Sequence, residues 1–131
     1  MILDQKLLDS LSAQAKANPR LRQAYDLRTT PDDKSQRMLN ALEPGTIMPI
    51  HRHRNTSETM VMVRGKLIER FYDNNGNLID EFVMEPCGQY PMVQIEAGRW
   101  HSLEVLEEGA VIFEAKDGVY EPLSNNDVLN R

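Results

Sequence analysis

From Gln36 to Lys116 the sequence is divided by glycine, proline and asparagine into short apolar-rich runs, and this division limits the folds available to the chain. Runs of this length between turn residues indicate β-strands. The predicted strands are residues 37–43, 46–53, 58–64, 66–73, 78–85, 91–96, 101–106 and 110–116. The segment Asp73–Asn77 predicts a hairpin turn. Closely spaced short strands predict a small antiparallel barrel or a double-sheet jelly roll.

In the N-terminal part of the chain, the apolar residues recur at the spacing of a helix rather than that of a strand. Apolar residues fall near one face of a helix predicted over residues 3–17, namely Leu3, Leu7, Leu8, Leu11 and Ala15. Asn18-Pro19 ends this helix, because the residue before proline is pushed away from helical angles. We expect residues 19–36 to be irregular, with a short helical turn near 20–26, and the polar tail 121–131 to be peripheral.

These patterns predict one domain over residues 1–131, with an arm at 1–36, a barrel at 37–117 and a tail at 118–131. The net charge of −5 argues against binding to a nucleic-acid backbone, which requires basic patches. No apolar run resembles a signal peptide or a membrane span. Cys87 is the only cysteine, which excludes an internal disulfide and favours the cytoplasm.

All three histidines of the chain fall in one pattern, Gly45-x5-His51-x-His53-x4-Glu58-x6-Gly65, followed by His101 three residues after Gly98. Histidine is the commonest metal ligand, and neutral imidazole suits zinc, iron, nickel and copper. Two residues apart on a strand, His51 and His53 point to the same face. The pattern predicts that His51, His53, Glu58 and His101 bind one divalent metal ion, such as Zn, Fe, Ni or Mn.

This spacing resembles the first cupin motif, G-x5-H-x-H-x3,4-E-x6-G, at every fixed position. The second cupin motif, G-x5-P-x-G-x2-H-x3-N, is matched only by Gly98 and His101. Tyr90, Glu96 and Val105 stand at its first glycine, its proline and its asparagine. The resemblance implies a mainly β cupin fold, a double-stranded β-helix or jelly-roll barrel with the metal inside, here preceded by an N-terminal α-helix.

A narrower resemblance covers nearly the whole chain. The N-terminal helix, the segment from Pro31 to Gly45 and the late run Phe113–Pro122 are similar to the WbuC family of cupin-fold metalloproteins. Members of that family often accompany bacterial surface-polysaccharide genes. The resemblance therefore implies a carbohydrate-related role for the chain.

Three functions are compatible with these residues. The preferred hypothesis is a metal-dependent small-molecule enzyme, an isomerase or epimerase of a carbohydrate or sugar nucleotide, since an ion with open positions can hold two ligand oxygens. The alternatives are an Fe(II)-dependent dioxygenase and a non-catalytic sugar-binding module. The fold cannot decide among them, because cupins host many chemistries.

Polar residues in short strands are candidates for contacts with a ligand. The predicted ligand-binding residues are Arg37, Asn40, Gln94, Glu114, Lys116 and Tyr120. Arg37 and Asn40 cannot both face inward, because their separation is odd. Met38, Met48, Met60, Met62, Met84 and Met92 are expected to fill the barrel core.

A homodimer is predicted as well, because small cupins commonly pair and an amphipathic helix outside a barrel needs an apolar partner surface. The alternative is that the helix packs on its own barrel.

Overall fold

The computed structural model describes residues 1–129 as one helix and ten strands in two antiparallel sheets. The elements are α1 (Gln5–Ala17), β1 (Arg22–Asp26), β2 (Ser35–Leu42), β3 (Ile50–His51), β4 (Glu58–Arg64), β5 (Leu67–Tyr72), β6 (Leu78–Met84), β7 (Met92–Ile95), β8 (Trp100–Val105), β9 (Ala110–Asp117), a 3-10 turn (Asn125–Asp127) and β10 (Val128–Leu129). Sheet A has the order β1-β2-β9-β4-β7, and sheet B has the order β10-β3-β8-β5-β6. The predicted two-sheet jelly roll with an N-terminal helix is confirmed.

The core of the jelly roll lies between the two sheets. Its apolar residues are contributed by both sheets, namely Leu42, Met60, Met62, Leu67, Met84, Leu103, Val105, Ala110 and Ile112. Residues at alternate positions of a strand share a face, which is why Met60 and Met62 both belong to this core. The expectation that methionines fill the barrel therefore holds for these two residues and for Met84, whereas Met92 on the edge strand β7 is 54% exposed.

Helix α1 covers the outer face of sheet A. It begins after Asp4, whose carboxylate accepts a hydrogen bond from the backbone N–H of Leu7 at 2.9 Å, and it ends before Asn18. Its buried residues Leu8, Leu11 and Ala15 pack against residues of β2 and β9, namely Leu39, Ala41 and Val111. The apolar face of the helix is thus covered by its own barrel, so the helix gives no reason for a dimer.

Replacing Leu11 with alanine tests this packing. Leu11 is 2% exposed, and its truncation should lower the free energy of unfolding by about 2–5 kcal/mol. Urea denaturation followed by circular dichroism would measure the loss. Leu3→Ala is the control, since Leu3 lies before the helix and is 43% exposed, so its truncation should change stability very little. Equal stability of the two variants would contradict the helix packing.

Two expectations about secondary structure are wrong. Residues 22–26 form strand β1, although residues 19–36 were expected to be irregular, because these residues pair with Met38–Leu42 at the edge of sheet A. Of the strand predicted over 46–53, only Ile50–His51 is β-structure, since Pro44 and Pro49 lack the N–H that a ladder requires. The tail adds the two-residue strand β10 next to β3.

Among the helices that the structure describes, none has both the length and the apolar character needed to cross a membrane.

Candidate metal centre

His51 and His101 form a direct cross-strand pair at the inner face of sheet B. Strands β3 and β8 are in register at these two residues, and their ring centroids lie 4.2 Å apart. Both side chains are buried. Two residues far apart in sequence therefore meet because the barrel places their strands side by side.

His53 and Glu58 complete the cluster. His53 lies just after β3, and its ring centroid is 5.2 Å from that of His51. Glu58 is the first residue of β4, in the opposite sheet. Its Oε2 atom lies 3.5 Å from Nε2 of His101 and 3.7 Å from Nε2 of His53. The structure thus brings all four predicted ligands to one place between the sheets.

Hydrogen bonds to backbone carbonyls orient two of the imidazoles. Nδ1 of His51 lies 2.8 Å from the carbonyl oxygen of Pro49, and Nδ1 of His101 lies 2.9 Å from that of Arg99. Because a carbonyl accepts, each Nδ1 carries the proton and each Nε2 presents its lone pair. This is the arrangement that metal-binding histidines adopt when a backbone group fixes the tautomer.

The surroundings keep the imidazoles of His51 and His53 neutral and Glu58 ionised. Burial and the neighbouring His101 lower the pKa of His51 to about 3. Burial and the charge of Lys116 lower the pKa of His53 to about 4. Burial pushes the pKa of Glu58 upward, but His101 and Lys116 outweigh it and hold that pKa below its usual value. Neutral imidazole and carboxylate are the forms that bind a divalent cation.

The donor set fits a single divalent ion. The ligand atoms of His51, His53 and His101 lie within 4.8 Å of one another, so these three histidines could hold a metal ion. Donors about 2.0–2.2 Å from a shared centre lie roughly 3–3.5 Å apart, so small side-chain adjustments suffice. Oε2 of Glu58 is buried and has no hydrogen-bond partner within residues 1–129. An ion beside it would satisfy this oxygen.

Arg52, between the two histidines and just after β3, points away from the cluster. Its guanidinium lies 4.5 Å from the ring centroid of Trp100, and its Nε donates to Oδ1 of Asp127 at 3.2 Å. Arg54 donates to the same oxygen at 2.6 Å. The tail lies at the edge of sheet B, as expected of a peripheral segment, and these contacts join it to the segment that carries His51 and His53.

The departures from the second cupin motif leave its turn intact. The backbone N–H of Arg99 donates to the carbonyl of Glu96 at 3.1 Å, and Gly98 has a φ of +85°. The backbone N–H of Gly98 also donates to the carbonyl of His53 at 2.7 Å. This turn forms without the usual proline and connects the segments of His53 and His101.

A cavity of about 210 Å³ opens beside the four residues. Four of the six predicted ligand-binding residues line it, namely Asn40, Glu114, Lys116 and Tyr120. Asn40 donates to Oε2 of Glu114 at 3.3 Å, and Nζ of Lys116 lies 3.9 Å from the same oxygen. Burial and the charge of Glu58 raise the pKa of Glu114. The cavity wall thus carries groups that can donate and accept protons.

The other two predicted residues lie outside the cavity. Arg37 forms an ion pair with Asp33 at 2.6 Å, and Gln94 is exposed and accepts a hydrogen bond from the hydroxyl of Thr59. Arg37 lies three residues before Asn40 on β2, so the two side chains point to opposite faces of the sheet. Asn40 faces inward, and Arg37 therefore faces outward. Gln94 lies on β7, at the edge of sheet A, with a side chain directed to solvent.

Glu69 is a cavity residue that the sequence analysis missed. It lines the same cavity and is 0% exposed. Glu69 lies two residues after Leu67 on β5, so the two side chains share a face of the strand. Because Leu67 is a core residue, this spacing is the signal that could have indicated an inward carboxyl group.

A jelly roll of two antiparallel sheets that encloses a three-histidine cluster is the architecture of the cupins, and similar solved structures support this class. CapF from Staphylococcus aureus, described as a capsular polysaccharide assembling protein, is 27% identical with a TM-score of 0.63, and the match covers 76% of this chain and 27% of CapF. KdgF from Halomonas sp. is 14% identical with a TM-score of 0.61, and the match covers 77% of this chain and 82% of KdgF. Oxalate decarboxylase OxdC from Bacillus subtilis, whose Mn(II) centres are named in its description, is 22% identical with a TM-score of 0.58. That match covers 82% of this chain and 27% of OxdC.

The chain belongs to the family described as a domain of unknown function, DUF6016, whose model matches residues 3–84. No curated protein matches the sequence. The chain spans about a quarter of the length of CapF.

Proposed function

We propose that this protein is a mononuclear metal-dependent isomerase or epimerase that acts on a carbohydrate or sugar nucleotide. The observation that carries the proposal is the position of His51, His53, Glu58 and His101 at the wall of a cavity between the sheets rather than on the outer surface. With four protein ligands, an ion that prefers six-fold coordination keeps two positions open. Such an ion supplies a Lewis acid and template for two ligand oxygens.

The other wall residues support proton-transfer chemistry. Lys116 lies opposite Glu58 in the β4–β9 register, and Glu114 lies opposite Met60 in the same ladder. An amine and a carboxyl group beside the ligand position can hold and exchange protons. Asn40 and Tyr120 can orient hydroxyl groups by hydrogen bonds, with Tyr120 at the mouth because it is 56% exposed.

A groove next to the cavity supports an anionic ligand such as a sugar nucleotide. This groove of about 330 Å³ contains Arg20 and Arg22 and shares Asn40, Met48 and Glu114 with the cavity. Arg22 is paired with Leu42, so it lies on the inner face of sheet A, and its Nη1 atom is 4.0 Å from Sδ of Met48. Neither arginine forms an ion pair within the described chain, residues 1–129. Guanidinium groups suit phosphate oxygens.

The role in surface-polysaccharide metabolism is part of the same proposal. It is supported by the similarity to CapF, whose description names capsular polysaccharide assembly, and by the WbuC-like segments of the sequence. The match to CapF covers three quarters of this chain but only about a quarter of CapF. It therefore supports a role of this chain in polysaccharide metabolism, and it does not identify the reaction that the chain catalyses.

Metal analysis followed by a ligand screen tests the proposal. Protein purified without a His-tag should contain close to one equivalent of zinc, nickel, manganese or iron by elemental analysis. Sugar nucleotides should then raise its melting temperature, and proton NMR should show isomerised or epimerised product. Iron with ligand-dependent consumption of O2 would favour the dioxygenase instead, and binding without turnover would favour the sugar-binding module. Absence of bound metal would refute the proposed function.

Removal of the metal should lower thermal stability. An ion that binds only the native state stabilises it by about 2.7 kcal/mol at a hundred times its dissociation constant. Dialysis against a chelator should therefore lower the melting temperature by roughly 5–10 °C, and addition of the ion should restore it. Differential scanning fluorimetry would measure both steps. A melting temperature that stays constant throughout would contradict a native-state site.

We also propose a homodimer in the cytoplasm. The edge strand β6 exposes Leu78, Ile79 and Val83, an apolar set that a second copy could cover. Light scattering at micromolar concentration should give twice the chain mass of 15.0 kDa, and a particle of that single-chain mass would contradict the dimer.

A further inference from the structure

Glu69 stands out among the buried acids of the molecule. It lies near the middle of β5, opposite Leu103 of β8 on one side and Phe82 of β6 on the other. Leu67 and Leu103 belong to the apolar core, so Glu69 projects inward between the sheets. A carboxyl group at this position interrupts an otherwise apolar layer.

Both carboxyl oxygens of Glu69 are buried, and neither has a hydrogen-bond partner among residues 1–129. Burial of a polar group without a partner is unfavourable by several times the thermal energy. Glu58 also leaves an oxygen without a partner, but its position beside three histidines explains that oxygen. Glu69 has no comparable neighbour in the part of the chain that the structure describes, although its side chain lines the cavity.

The surroundings of Glu69 disfavour its ionised form. Burial, followed by the negative charges of Glu58 and Glu114, raises its pKa well above the usual value. The one amine that lines the cavity, Lys116, lies 3.9 Å from Glu114. A carboxyl group held in its neutral form is a hydrogen-bond donor, a role that an ionised carboxylate cannot play.

The distance between Glu69 and the histidine cluster is short enough for one small molecule to contact both. Phe71 is directly opposite His101 in the β5–β8 ladder, and Glu69 is opposite Leu103, one inward-facing pair further along. Such diagonal neighbours have backbones about 7–8 Å apart. A small molecule held beside the imidazoles would therefore extend toward the Glu69 carboxyl group.

We propose that Glu69 is a further ligand-binding residue, whose buried carboxyl group donates a hydrogen bond to an oxygen of the small molecule in the cavity. The proposal rests on the proposed function for the metal at the other end of that molecule. It also specifies the class of small molecule further. Besides the two oxygens that face the histidine cluster, the small molecule carries a hydroxyl or carbonyl oxygen deeper in the barrel. A polyol chain such as that of an open-chain sugar fits this description.

Two variants separate the hydrogen-bond donor from the charge. Glu69→Gln keeps a neutral donor of nearly the same shape, whereas Glu69→Leu keeps the volume and removes all polar atoms. Glu104→Gln is the control, because Glu104 lies opposite Ile68 in the β5–β8 ladder and is exposed on the outer face. Metal content and melting temperature are measured first, since neither requires knowledge of the natural ligand.

Two probes then report on the contact. Arabinonohydroxamate carries a two-oxygen metal-binding head and a hydroxyl chain, and acetohydroxamate carries the same head without the chain. Loss of one hydrogen bond should weaken binding of arabinonohydroxamate to the nickel-loaded Glu69→Leu variant about tenfold, nickel being an ion that can keep two positions open beside four protein ligands. Acetohydroxamate should bind that variant and the wild type equally, and Glu69→Gln should bind both probes like the wild type.

The expected results are thus retained metal in all variants, a melting temperature of Glu69→Leu raised by about 5 °C, and a loss confined to the longer probe. Equal binding of the longer probe by wild type and Glu69→Leu would overturn the proposal while leaving the metal site intact. Equal losses in Glu69→Gln and Glu69→Leu would also overturn it, since they would show that the charge is required. Absence of metal from the wild type would instead overturn the proposed function, and this proposal with it.

Discussion

Replacement of His53 with alanine should reduce the bound metal by at least about tenfold, because it removes one of four donors to a single ion. Its ring lies within the cluster, with Nε2 3.7 Å from the Glu58 carboxylate. Elemental analysis of purified variants would measure the loss. The melting temperature should fall toward that of the metal-free wild type, because the native state loses the stabilisation that the ion provides.

Arg52→Ala is the matched control for His53→Ala. The two residues are neighbours in sequence, but the Arg52 side chain faces Trp100 and Asp127, away from the cluster that contains His53. Its truncation should lower stability modestly and leave one metal equivalent in place. Retention of metal in His53→Ala, or equal loss in a folded Arg52→Ala, would show that the assignment of faces is wrong.

Replacement of Gly65 with alanine should destabilise the barrel by at least about 3 kcal/mol, or roughly 10 °C in melting temperature. Gly65 has a φ of +81°, and a Cβ there would lie 2.7 Å from the backbone Cα of Ala110. Backbone atoms of the fully buried Ala110 cannot move aside as the end of a side chain can. Thermal denaturation monitored by circular dichroism would measure the change.

Gly109→Ala separates the strain of a positive φ from the close contact that an added Cβ would make. Gly109 has a similar φ of +73°, but an added Cβ would meet no atom within 4 Å. This variant should therefore show only the strain of a left-handed residue, about 1–2 kcal/mol. If the two variants were equally stable, close packing at Gly65 would not be a determinant of the fold.

The fold class was predictable because its main signals are local. The short apolar-rich run at 58–64 and the turn at Asp73–Asn77 are both properties of neighbouring residues, and both appear in the structure as a strand and a hairpin. Strand β1 was missed because its pairing with β2 is a tertiary contact at a sheet edge, where half-exposed residues carry no strong alternation. Strand β10 has two residues, which is too short for any period.

The cluster of three histidines and Glu58 was predictable from spacing, whereas the cavity wall was predictable only in part. The convergence of His51, His53, Glu58 and His101 follows from a motif with fixed separations. Asn40 and Arg37 are both polar residues of β2, so the sequence treats them alike. What distinguishes them is whether the side chain points to the core face or to the outer face of the strand. Glu69 was overlooked because a glutamate next to Arg70 suggests an exposed position until the partner strands are known.

The pairing of β10 with β3 has a consequence for the order in which the molecule matures. His51 lies on a two-residue strand that is hydrogen-bonded to β8 on one side and to Val128–Leu129 on the other. During translation the second side of that strand is missing until Val128 and Leu129 have left the ribosome. We therefore expect the ion to enter only after these two residues have emerged, which the metal content of ribosome-bound chains halted before Asp127 would reveal.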